Sequence, residues 1–130
     1  ECPMLDPNLD RDAAVLHLRP RGRLCKADFE QLSLLVDPFI EDNGQLRGLI
    51  VETTAFPGWR DFPAMIAHLR FVREHHRMIS RVALVTDSLV GDFAQHLGSH
   101  FVTAQIRHFG IKELDAARGW VCADRPAKHP

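Results

Sequence analysis

The sequence predicts an α/β fold, a mixed and mostly parallel sheet of about five strands with about four helices. Three observations carry that expectation. Short apolar runs, Leu49-Ile-Val-Glu52 and Arg81-Val-Ala-Leu-Val-Thr86, alternate with longer stretches whose apolar residues recur at steps of three and four. The Leu49 run is continuous rather than alternating, as in a strand covered on both faces, and the Arg81 run takes a central place beside it. The first two strand candidates are too close for a crossover, so they should pair antiparallel at one edge.

The elements follow in order. Met4 to Asp12 is polar with a proline, and Leu5 and Leu9 suit a short edge strand in an otherwise loosely ordered segment, residues 1–12. Ala14 to Arg19 reads as a strand, closed by the Pro20-Arg-Gly-Arg23 turn. A helix is expected over Lys26 to Asp42, with Phe29, Leu32, Leu35, Val36, Phe39 and Ile40 on one stripe. Asp28 suits the positive end of its dipole, and Asn43-Gly44 ends it. Pro38 removes a backbone donor, so a kink or break is expected there.

After the Leu49 strand and the Thr53 to Arg60 loop, Asp61 caps a second helix with Pro63 in its first turn. Phe62, Ile66, Leu69 and Val72 form its expected stripe. Beyond the Arg81 strand, Asp87 or Ser88 caps a third helix carrying Leu89, Phe93 and Leu97. Thr103 to Phe109 alternates as a half-buried strand, and Lys112 to Cys122 forms a last helix with Leu114, Ala117 and Val121 inward. The tail, residues 124–130, is polar and loosely ordered. Without repeats or linkers, residues 1–130 read as one domain.

Composition excludes several function classes. Lys plus Arg is 16 and Asp plus Glu 17, a net charge of −1, so there is no electrostatic footprint for nucleic acid. No apolar run approaches the ~18 residues of a membrane span, and no signal-peptide pattern opens the chain. Cys2, Cys25 and Cys122 are odd in number and form no Cys-x-x-Cys pair, which supports neither a disulfide framework nor zinc; reduced cytoplasmic thiols are expected. The 8 histidines include the pairs His75/His76 and His96/His100, but no set with the spacing of a zinc site, so no metal and no cofactor is expected. Neither a Gly-x-Ser-x-Gly elbow nor a nucleotide-binding glycine motif is present, so Ser88 and Ser99 are not read as nucleophiles and no enzyme is expected.

Several strings in this order resemble the SpoIIAA-like family within the wider STAS fold, over about Ala14 to Ala123. They are Gly22-Arg-Leu-Cys-Lys-Ala-Asp-Phe-Glu30, Asp37-Pro-Phe-Ile-Glu41, Phe56-Pro-Gly-Trp59 and Ala104-Gln-Ile-Arg-His-Phe109. The resemblance implies a non-catalytic protein. The best-known STAS domains are anti-sigma factor antagonists switched by phosphorylation of a serine at the start of the second helix. Here the matching segment, Ala55-Phe-Pro-Gly-Trp-Arg-Asp61, has no serine, and Thr53 and Thr54 fall too early to meet the helix-start amides. Similarity of such proteins to lipid-binding CRAL-TRIO domains implies a small apolar ligand or a membrane surface.

The strand end before the second helix is the candidate site. Phe56, Trp59 and Phe62 suit an aromatic gate, with Phe29, Phe39 and Ile66 lining a space between the first two helices; the alternative is that these rings only seal the core. His68, Arg70, Arg73, His75, His76 and Arg77 give the second helix a cationic side suited to lipid headgroups, against the plainer reading of a solvated face. Arg107 is expected to pair with Glu52 or Asp87. The expected function is therefore binding of an apolar or lipid-like ligand, or contact with the inner face of the membrane, by a cytoplasmic protein. The alternative is a protein-interaction regulator, with a protein partner or a second copy of the chain.

Overall fold

The computed structural model describes residues 2–87, 95, 96, 98 and 102–123. Its strands are β1 (Asn8–Asp10), β2 (Val15–Leu18), β3 (Leu46–Glu52), β4 (Ile79–Val85) and β5 (Gln105–Phe109), joined in one sheet in that order. β1 pairs antiparallel with β2, and every other pairing is parallel, with His17 opposite Ile50 and Ala83 opposite Arg107. The helices among the described residues are α1 (Lys26–Asn43), α2 (Phe62–His75) and α3 (Leu114–Cys122), with a 3-10 turn at His76–Met78. Three helices are thus described where the sequence predicts four. Leu89, Phe93 and Leu97, on which the expectation of the other one rests, lie outside the described residues, as do Ser88, Ser99, His100 and the tail.

The sheet separates two cores, as the period-two alternation of strands requires. On one face Leu16, Leu18, Phe29, Leu32, Val36, Phe39 and Phe71 join β2, α1 and α2. On the other Val15, Ile50, Ala83, Val85 and Phe109 receive Ala117 and Val121 of α3. α3 lies so close to the sheet that a Cβ on Gly48 would stand 2.5 Å from Val121 Cβ, so only glycine fits at that point of β3. Arg47 and Arg81 donate to the Cys122 and Trp120 carbonyls, a charge-complementary end for α3.

α1 runs through Pro38 to Asn43 as one helix, so of the expected kink or break the break does not occur. Pro38 is exposed, while Val36, Phe39 and Ile40 around it are buried, so packing on the inner face outweighs one missing hydrogen bond on the outer. Gly44 closes the helix with its N–H on the Ile40 carbonyl. At the start, the buried Asp28 carboxylate accepts from the Cys25 N–H at 2.9 Å and, from outside the helix, from the N–H groups of Met4 and Leu5. That draws the N-terminal arm onto the helix and brings Cys2 beside Cys25, where the two form a disulfide. The expectation of reduced thiols is corrected on this point: the pairing follows from the arm's path, which the 23-residue separation does not reveal. Cys122 stays free.

α2 corrects the expected stripe. Its buried residues are Ala64, Phe71 and His75, while Phe62 is 68% and Leu69 55% exposed. At about 100° per residue, Phe62, Ile66, Leu69 and Arg73 fall within roughly 60° of one another, on the side opposite Ala64, Ala67, Phe71 and His75. The apolar periodicity is real, but it marks the outer face.

Candidate functional site

The loop after β3 turns on Gly58, whose φ of 86° lies in the left-handed region that glycine enters without strain. In that conformation the Gly58 carbonyl accepts from Leu24 N–H at 2.9 Å, and Arg60 N–H donates to the Leu24 carbonyl at 2.8 Å. Leu24 and Trp59 thus form a parallel bridge that ties Phe56-Pro-Gly-Trp59 to the segment leading into α1.

Trp59 is half-buried, and its indole N–H donates to His68 Nδ1 at 3.1 Å. An indole can only donate, so the His68 proton resides on Nε2. Phe29 stacks on the His68 ring at 4.8 Å, and Phe56 meets Trp59 edge-on at 5.0 Å. Burial among these rings lowers the His68 pKa to about 4, so the imidazole is neutral near neutral pH. Phe29 and Phe39 are only 6% and 4% exposed and belong to the core. The structure therefore packs rings, with Phe29 against His68 and Phe71, where the sequence suggested a space.

The outward side is different. Asp61 caps α2 by accepting from Ala64 N–H at 3.0 Å, with Pro63 in the first turn, as its sequence predicts. From there the exposed Phe62, the half-buried Ile66 and the exposed Leu69 run along the outer face, with Phe56 exposed at its start. Arg60, Arg70, Arg73 and Arg77 are exposed around them, whereas Glu74 falls about 120° from the Phe62 line. His68 and His75 do not join this cationic side. Both turn inward, and His75 is bonded to the Phe71 carbonyl and the Asp37 carboxylate. At the far end of the two helices a groove of about 500 Å³ opens between Leu34, Asp37 and Glu41 of α1 and Glu74 of α2.

On the α3 face, buried His17 lies between Glu52 (Nε2 to Oε1, 2.8 Å) and the Arg118 guanidinium, which donates to Nδ1 at 3.1 Å. Both ring nitrogens are engaged, so His17 ties β2 to β3 and α3. Arg107 does not pair with Glu52 or Asp87; its guanidinium lies over the Phe109 and Trp120 rings, and Asp87 accepts from Ile111 N–H. Thr53 donates its hydroxyl to the Ala55 carbonyl. Among the described residues no group of three or more His, Cys, Asp or Glu side chains is placed to hold a metal ion.

The profile of the SpoIIAA-like family matches residues 15–122, nearly the whole described chain. This chain belongs to the SpoIIAA-like family. No curated protein sequence matches it. Among solved structures it is similar to an uncharacterised protein with a SpoIIAA-like fold from Shewanella loihica PV-4, at a TM-score of 0.71 and 19% identity, covering 91% of this chain and 92% of that one. At that identity the likeness establishes the fold alone, a SpoIIAA-like one. No helix among the described residues is long and apolar enough to cross a membrane.

Sequence reasoning missed His68 as the partner of Trp59. A histidine among arginines reads as solvated, and the nine-residue separation gives no local signal; only the left-handed turn at Gly58 brings the indole back over the helix.

Proposed function

We propose that this SpoIIAA-like protein is a non-catalytic module that touches an anionic membrane surface through the outer face of α2. The observation that supports this reading is that α2 is apolar on two opposite sides. One packs on α1 and the sheet; the other exposes Phe62, Ile66 and Leu69 beside Phe56, amid four exposed arginines. An amphipathic helix with that arrangement lies in the interface plane, apolar side chains among acyl chains and arginines at the phosphates. Burying Phe62 and Leu69 contributes about 1.5–3 kcal/mol each, and each arginine about 1 kcal/mol near an anionic surface. After the cost of association, the sum supports weak, reversible, salt-sensitive attachment. The surface form of the apolar-ligand expectation is the one the geometry favours, because Phe29 and Phe39 are committed to the core.

Co-sedimentation with phosphatidylcholine vesicles, with and without phosphatidylglycerol, tests the reading. Binding is expected only to the anionic vesicles, at least ~10-fold weaker for the double variant Phe62→Ala/Leu69→Ala and released by ~0.5 M salt. Equal pelleting of parent and variant, or none at low salt, contradicts it. A single protein partner captured through the same residues would instead point to the interaction-regulator alternative.

A further inference from the structure

The groove between the C-terminal half of α1 and the end of α2 lies away from the outer stripe of α2 and has the opposite charge. Leu34, Pro38 and Met78 give it apolar walls, and Asp37, Glu41 and Glu74 give it carboxylates; no lysine or arginine lines it. Leu34 is 77% exposed, a large apolar side chain without cover. The last turn of α1 contains no basic residue, so Glu41 meets the negative end of the helix dipole with nothing on its own helix to offset it. Asp37 is held in place by His75, at 2.7 Å from Nε2, and His75 is itself fixed by the Phe71 carbonyl and by stacking on Phe71 at 4.0 Å.

We infer that this groove docks a basic amphipathic helix of a partner protein. Leu34 and Pro38 are four apart, as are Asp37 and Glu41, so an apolar row and an acidic row advance together, one turn at a time. A helix presenting apolar residues at four-residue spacing, with lysines or arginines at the same spacing beside them, matches both rows. From Ser33 to Glu41 the groove wall is about 12 Å long, enough for roughly two turns of such a helix. Glu74 on the opposite wall supplies a third carboxylate, so the cationic side is met from both helices. These carboxylates repel an anionic bilayer, so the occupant is a protein and not lipid.

The test is an NMR titration of the ¹⁵N-labelled protein with two synthetic amphipathic helices of one pattern, leucine–lysine and leucine–glutamate. The leucine–lysine peptide is expected to shift the amides of Leu34, Asp37, Glu41, Glu74 and Met78, and to bind at least ~10-fold more weakly to Glu41→Lys/Glu74→Lys. Leu34→Ala should also weaken it, and Phe62→Ala/Leu69→Ala should leave it within ~2-fold. The leucine–glutamate peptide should shift nothing. The inference is overturned by the absence of saturable shifts, by shifts mapping to the outer stripe of α2, by equal binding of both peptides, or by binding insensitive to the Glu41, Glu74 and Leu34 changes in variants whose circular dichroism shows them folded.

Discussion

The Asp28 carboxylate lies inside the molecule, where a polar group is costly unless its oxygens accept hydrogen bonds. Three backbone N–H groups donate to it, from Met4, Leu5 and Cys25. Asp28→Ala leaves those donors without an acceptor and should lower the unfolding free energy by on the order of 3 kcal/mol in a urea titration. The placement of Asp28 in the first turn was legible in the sequence; its hold on the N-terminal arm was not, because the arm's donors are backbone groups and carry no sequence signal. His68 makes a second residue-scale prediction. Its folded pKa of about 4 lies below the ordinary histidine value of 6.5, so between those pH values the unfolded chain binds the extra proton. Stability should therefore fall as pH drops through that window, by on the order of 1–3 kcal/mol. His68→Asn keeps an acceptor for the Trp59 indole but does not titrate, so its unfolding free energy should show a flatter pH dependence there.

At the scale of elements, α2 is the instructive case. Phe62, Ile66 and Leu69 have the spacing of a core stripe, and a sequence gives no means of telling which of two apolar sides faces in. The inner side is built from Ala64, Ala67, His68, Phe71 and His75, and its two histidines made it look polar. The buried stripe of α1, Phe29, Leu32, Val36, Phe39 and Ile40, agrees with its sequence pattern, whereas its continuity through Pro38 does not. Strands β2 to β4 were legible from their apolar runs and β5 from its alternation, and the antiparallel edge followed from the short link between β1 and β2. Gly48 was not legible: it resembles any strand glycine until α3 is laid across it. Gly48→Ala places a methyl against Val121 and should cost about 1–3 kcal/mol by overpacking, measured as a fall in urea midpoint at unchanged m value.

For the whole molecule, the sheet keeps its two sides apart. Trp59 lies on the α1/α2 side, bonded to His68, and Trp120 on the α3 side, beside Arg81 and Phe109. The proposed membrane contact involves only the first of these sides, so the two tryptophans report on opposite outcomes. The family and fold were readable in the sequence, the fold because apolar runs alternate with helical stripes along the chain. Of the residues on the proposed contact face, the sequence points to Phe56 and Phe62 as a gate and to Ile66 as the lining of an internal space, while Leu69 reads as part of the core stripe of α2. The most direct measurement is fluorescence quenching by brominated phospholipid in anionic vesicles, using Trp120→Phe to isolate Trp59 and Trp59→Phe to isolate Trp120. Quenching of Trp59 with Trp120 unchanged is expected; equal quenching of both, or of neither, overturns the membrane contact.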